Sequence, residues 1–540
     1  MASPAPRAQQ QIQEIPLEIV GGTHFGRYNK ISRQETWNFI VSDQWLVPYA
    51  GYKNRLQIGG TNQVGRGLYS SYVGQFMIGV VGSIVAKITI NVIDGELEYE
   101  SIGDLATTNG DIYIAENNNK QICLTDNVNV YVYNYADGVV TPFQQLTNLQ
   151  FPFDNPGYIS FQNGQLIIAC NQTTNWVLSG FNDATSWSNT SPFVGSLQSK
   201  PDFCQAVVPT PGGGNTVLVF GRNVTEQWQY TGAAKFPYQR SSTFNVDYGC
   251  LNPASIAHLK NYIVWLAVNE QSGPVIMVAY GGDIQAISTD GIDFQLGNLT
   301  NPENCTGFLY QQDGHVLYQF TFPDDNISYA YDFGTKLFFN VSDENLNYHI
   351  AREVVYFNNN YYFVALNHPN VYEFSSLYTT AQYSLNNDLS DERIIPRIRI
   401  TPPLRLPSQR YYIAKSLGFT IEQGQPNIIR QVPHYVNAGI LLAAEDGVII
   451  AAEDGIDLAI DQDTVDVTYE YASDIVSLAV SRNGAVTFGN FWDQPMNHTG
   501  NFYSRFIYQR LGHANDSTYQ LRFNGYSRFV VANGVVEIYE

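Results

Sequence analysis

Turns rich in glycine, asparagine and aspartate recur along this chain, each followed at once by an apolar and aromatic run, at a spacing of roughly 50 residues. Asn109-Gly110 precedes DIYIA, Asn163-Gly164 precedes QLIIA, and Gly214-Asn215 precedes TVLVF. Asn261 precedes YIVWLAV, Asp313-Gly314 precedes HVLYQF, and Asn358-Asn359-Asn360 precedes YYFVAL. Such a period demands a unit that repeats in space, because one unit of this size cannot bury both of its faces alone.

The stretch from Asn301 to Ser342 shows the unit most clearly. Phe308-Leu309-Tyr310, Val316-Leu317-Tyr318, Ser328-Tyr329-Ala330-Tyr331 and Leu337-Phe338-Phe339 read as four short strands joined by tight turns. Four strands per repeat is the composition of a propeller blade. A linear row of blades would leave open edges, so radial closure is expected. Six units are visible, and Tyr72-Val73-Gly74 to Ile88 supplies a seventh or completes the ring. The expected class is all-β: a propeller of six to seven blades with an added antiparallel β domain at the C-terminus.

Composition supports this reading. There are 37 Tyr and 30 Phe against only 14% charged residues, a bias toward strand formers. No run of eighteen apolar residues suits a membrane-spanning helix, and the first residues, MASPAPRAQQQIQEIPLEI, read as an extended arm with no secretory signal. Cys123, Cys170, Cys204, Cys250 and Cys305 stand singly, which predicts buried free thiols without a zinc site or disulfide framework. A net charge of −21 disfavours tight nucleic-acid binding, which needs clustered Lys and Arg to neutralise phosphates.

The predicted organisation is an arm over 1–20, a propeller over 21–380 and a sandwich-like β domain over 381–540 with a protruding hairpin near 440–460. The last boundary follows a composition shift between Asn386 and Tyr412, rich in proline and arginine. Ile394, Ile395, Ile398 and Ile400 alternate there around Arg397 and Arg399, as in an edge strand guarded by charge. Ile15, Pro16 and Leu17 of the arm, with Arg397 and Arg399, are the candidate contacts between subunits. The doubled turn LAAEDGVII and IAAEDGIDL lacks the alternating ligands of a calcium loop. Further on, Asn483-Gly484 and Asn533-Gly534 each lie between apolar segments and predict two hairpins.

No phosphate loop, zinc helix or nucleophile elbow occurs, and no cofactor or metal is expected. Ser481–Phe488 is similar to the Asp-box turn of sialidase-type propellers, with Asn483 for the aspartate and Phe488 for the tryptophan. That box is a structural turn. A glycan-binding or glycan-hydrolysing propeller and a receptor-binding tail component remain the alternative functions.

Taken together, RYNKISRQETWNFIVSD, RGLYSSYVGQFMIGVVGSIVAKI and VLVFGRNVTEQWQYTGAAKFPY resemble the packaged-DNA stabilisation proteins, or nozzle-hub proteins, of short-tailed bacteriophages. Phe220, Gly221, Glu226, Trp228, Thr231 and Gly232 occupy one motif of that family; Gln509, Arg510, Leu511, Gly512 and Asn515 fit its C-terminal strands. Tyr508 stands where the family has Trp, and His513 where Arg is common. The resemblance implies a non-enzymatic virion protein of the tail, assembled in the host cytoplasm. It further implies a homo-oligomeric ring of about six copies below the portal and its adaptor. Implied partners are the portal-adaptor ring proteins, a tail fibre, spike or needle, and packaged double-stranded DNA that passes with weak, non-specific contact.

Overall fold

The computed structural model describes residues 12–28, 33–190, 193–211, 215–385, 391–423, 430–434, 466–470, 474–496 and 503–539. The doubled AAEDG turn and the expected hairpin near 440–460 lie outside the described residues.

Seven antiparallel units follow one another in a closed ring: 65–104, 113–145, 156–196, 204–246, 257–286, 306–340 and 351–375. The expectation of six to seven blades is thus met at its upper end, and 65–104 is the additional unit. The recurring turn is in most units the tight connection between first and second strands. Asn163-Gly164, Asp313-Gly314 and Asn358-Asn359 take paired left-handed conformations there, the geometry a two-residue hairpin requires. Asn109-Gly110 differs, since it leads into the first strand of the second blade.

The seventh blade supplies only three strands, Ala351–Phe357, Asn360–Ala365 and Asn370–Ser375. Its fourth is Gly51–Gln57, from before the first blade, antiparallel to Asn370–Ser375. Two ends of the ring sequence are so joined by backbone hydrogen bonds. Aromatic rings fill the wedges between blades: Trp176 meets Trp228 at 5.4 Å, Phe220 meets Trp265 at 5.0 Å, and Tyr310 meets Phe374 at 4.8 Å. Pairs of this kind add about 0.5–1.5 kcal/mol each beyond burial. All five cysteines are free and buried, and burial pushes the Cys170 and Cys250 thiols up to about 12.

Residues expected to open the propeller instead join the C-terminal strands. Glu35–Trp37 continues the sixth blade into Arg397–Ile400, Thr518–Asn524, Ile475–Ser481 and Trp492–Pro495. Ile12–Leu17, Phe39–Ser42 and Trp45–Pro48 enter a seven-stranded sheet with Tyr412–Gln423, Tyr503–Ala514, Phe529–Val531 and Gly534–Tyr539. The two sheets pack through Phe39, Phe419, Phe523 and Phe529. His315 clasps the sixth blade to this layer: its Nδ1 meets Asp332 Oδ2 at 2.9 Å and its Nε2 meets Ser42 Oγ at 3.1 Å.

Both predicted Asn-Gly hairpins need correction. Phe529–Val531 and Gly534–Tyr539 do not pair with each other; both run antiparallel along the same edge of Tyr412–Gln423, with the register shifting between them. Asn533 interrupts that line because its side chain is engaged elsewhere, with Oδ1 accepting from Ile19 N and Val20 N at 2.9 and 2.8 Å. At Ser481 the positive φ values fall on Gly484 and Ala485, and the returning strand begins only at Trp492. Ser481 Oγ and Asn483 Oδ1 hold this loop by accepting from Ala485 N and Thr487 N.

Two predictions follow from ring closure. Tyr52 is fully buried in the closing strand, against Phe363, Tyr372 and His349. Tyr52→Ala should lower unfolding free energy by about 3–5 kcal/mol in urea titrations. His349 is 1% exposed and burial holds it neutral, its pKa lowered to about 3. The unfolded chain takes up a proton below about pH 6.5 that the folded chain refuses. His349 therefore supports stability above that pH and loses it progressively as pH falls; His349→Gln should flatten the wild-type drop in urea midpoint between pH 7 and pH 5.

Candidate contact surfaces and the axial mouth

Burial separates the five predicted contact residues. Arg397 and Arg399 lie on Arg397–Ile400 with 0% exposure. Arg397 donates to Thr379 O at 2.9 Å and Ile395 O at 3.1 Å. Arg399 donates to Thr36 Oγ1 at 2.8 Å and Gly22 O at 3.0 Å. Burial pushes both guanidinium groups down to about 10. A side chain with no exposed surface does not meet a neighbouring subunit, so the expectation for these two is corrected: they fasten the N-terminal segment and the stretch that leaves the seventh blade to the C-terminal sheets. Alternation in the sequence suggested a charge-guarded edge; pairing of this strand on both sides made it central.

Leu17 is buried and Ile15 packs against the same core. Pro16 points the other way. Register places Pro16 beside Val535, Val535 beside Gly418 and Gly418 beside Ile507, forming an apolar row across the solvent face of the seven-stranded sheet. Ile12, Tyr539, Ile413 and His513 form a second row, with Tyr411 stacked on His513 at 4.8 Å. Between the rows, Lys415 pairs with Glu537 at 2.8 Å. Strand alternation in Tyr503–Ala514 carries this signal, whereas its continuation through Pro16 needed the long-range pairing.

The first strands of neighbouring blades approach around the propeller axis, and side chains bridge between them. Tyr113 and Tyr158 touch with ring centroids 5.2 Å apart. Arg352 of the seventh blade pairs with Asp111 at the entry to the second, and Arg222 of the fourth pairs with Glu303 before the sixth. Arg66 is buried and donates to Gly82 O, Thr107 O, Thr107 Oγ1, Asn109 O and Gly110 O at 2.6–2.9 Å. A polar hollow of about 280 Å³ at this mouth is lined by Asp111, Asn127, Asn171, Gln205, Arg222 and Glu303. Enclosure by the ring pushes the Glu353 carboxyl up, while Leu68 N donates to it at 3.1 Å.

The motif around Glu226 is structural. Glu226 is 0% exposed and accepts from Gln198 N and Trp228 Nε1 at 2.8 Å each, and from Ser199 N at 2.5 Å. A Cβ at Gly221 would stand 2.5 Å from Asp202 Oδ2, which accepts from Asn223 N at 2.6 Å. The buried arginines give the sharpest test of these assignments. Arg399→Ala removes the donors to Gly22 O and Thr36 Oγ1 and empties a fully buried site, leaving Gly22 O only a long bond from Gln34 at 3.4 Å, and should cost about 3 kcal/mol or more. Lys415→Ala, at the sheet surface, should leave the midpoint of the same urea titration nearly unchanged.

Comparison with known proteins places these features in context. Residues 38–377 match the family model described as "Bacteriophage P22 Gp10, beta-propeller". No curated protein matches the chain. Among solved structures, virginiamycin B lyase from Staphylococcus aureus is similar at 12% identity and a TM-score of 0.37, over 68% of this chain and 99% of that one. The extracellular domain of a putative hybrid two-component system from B. thetaiotaomicron is similar at 11% identity and a TM-score of 0.39, over 62% of this chain and 40% of that one. The designed Ika8 protein is similar at 13% identity and a TM-score of 0.34, over 66% of this chain and 99% of that one. The family match spans well over half of the chain and coincides with the propeller; this chain belongs to the P22 Gp10 phage stabilisation family and is a phage tail stabilisation protein.

Proposed function

We propose that copies of this chain assemble into a ring in the tail, below the portal and its adaptor, which retains packaged DNA and lines the path of its ejection. The family match over 38–377 carries the reading. Physical features support it. A propeller sealed by backbone pairing and clamped to its C-terminal sheets by buried arginines is a stiff wall element. Its −21 charge repels phosphates, so DNA slides past without being gripped. Ion pairs bridge the first strands near the propeller axis, and the proposed conduit runs between copies. The exposed rows through Pro16, Val535 and Ile507, and through Ile12 and Ile413, are the proposed contacts between them. Tail fibre, spike or needle proteins and the adaptor ring are the proposed neighbours. The role is mechanical, without catalysis.

Mass photometry and negative-stain imaging of the purified chain should show a hollow ring of about six copies, and Val535→Arg with Ile507→Glu should reduce it to monomers; a ring unaffected by that pair would remove the sheet face from the contact. In gel-shift assays the wild-type oligomer should leave duplex DNA unretarded at about 150 mM salt. Tight retention there would contradict the sliding-wall reading.

A further inference from the structure

The turns joining first to second and third to fourth strands all emerge at one end of the propeller. On the first three blades, this end carries apolar side chains at its tips. Val92 and Ile93 are 98% and 92% exposed, Val140 94%, Tyr72 87% and Phe181 75%. Val92 and Ile93 sit between Ile84–Ile90 and Leu97–Asp104, Tyr72 between Gly65–Ser71 and Phe76–Val81. Val140 lies between Val130–Asn134 and Phe143–Gln145, and Phe181 between Asn175–Gly180 and Asp183–Trp187. Isolated exposed apolar residues are ordinary; five such side chains on four turns of three consecutive blades, all at one end, are a concentration.

These tips are held in place before anything binds. Around Val92-Ile93, Asn91 Oδ1 accepts from Ile93 N at 2.9 Å, Asn91 N donates to Glu96 O at 2.9 Å, and Asp94 Oδ1 accepts from Glu96 N at 3.0 Å. Ser71 Oγ accepts from Gly74 N at 2.8 Å beneath Tyr72. Phe181 leans on Gly164, where any Cβ would stand 2.3 Å from the ring. Rigid apolar side chains lose little freedom on binding, the property that lets a few residues dominate an interface.

We infer that this end of blades one to three docks a second tail protein through basic and apolar residues of that partner. The inference rests on the tail reading above. Charge decides the occupant: Asp94, Glu96 and Asp137 lie in these turns and Glu98 and Glu100 on the strand that follows the first, against Lys87, Lys120 and Arg55, which pairs with Glu96. Carboxylates at that density repel anionic lipid and nucleic acid. Another copy, with 28 basic residues against 49 acidic, offers few cations to answer them. A partner with lysines or arginines around apolar pockets satisfies both components.

Hydroxyl-radical footprinting read by mass spectrometry tests this on the purified oligomer and on intact virions. Tyr72, Val92, Ile93, Val140 and Phe181 should oxidise freely in the purified oligomer and roughly tenfold more slowly in the virion. Val92→Asp with Ile93→Asp should keep the urea midpoint and lower infectious titre. Protection already present in the purified oligomer would make this a contact between copies and overturn the inference; equal oxidation in the virion would overturn it too. If the chain's peptides are absent from virions, the tail reading fails and takes this inference with it. If they are present with open tips, the inference fails alone.

Discussion

Ring closure by one strand is the constraint on which the molecule depends. Six blades complete themselves locally, but the seventh is finished only when Gly51–Gln57 pairs with Asn370–Ser375. Until then two sheet edges stand open, each with a row of unpaired backbone donors and acceptors. Tyr52 and His349 sit at that seam among aromatic rings. Arg55 crosses it, meeting Glu373 at 2.6 Å and Glu96 of the first blade at 3.2 Å. The seam thus combines backbone pairing, aromatic burial and an ion-pair bridge at one place.

What closure does for the ring, the buried arginines do for the whole chain. Arg399 reaches the N-terminal segment and Arg397 reaches Thr379, just after the seventh blade, from the same buried face of one strand. Their bonds go to backbone carbonyls and a hydroxyl, groups whose positions are fixed by sheet pairing. Propeller and sandwich therefore share strands, a core and polar clamps. Such sharing leaves no loose joint between them, which suits the proposed place in a conduit wall.

The repeat was legible because its turns have a chemical requirement: paired left-handed conformations favour Asn, Asp and Gly, as at Asn163-Gly164 and Asp313-Gly314. Local patterning also located the four strands of 306–340 and the buried thiols. Long-range pairing was not legible. Nothing near Glu35 announces that it lies beside Ile400, and Asn533-Gly534 looks like a hairpin until Asn533 is seen to hold Ile19 and Val20. Arg397 and Arg399 alternated with isoleucines as an edge strand would; only the pairing on both flanks reveals a central strand. Pro16 was legible as an apolar contact, but its direction came from the register with Val535.

The central claim is that DNA passes between copies and never through a propeller. A cryo-electron microscopy map of the DNA-filled particle, with this chain fitted, tests it most directly. The account predicts DNA density on the ring axis, outside every propeller, with the Tyr113–Tyr158 side of each axial mouth closed. DNA density threading a propeller axis, or a tail in which this chain makes no ring around the DNA, would contradict it.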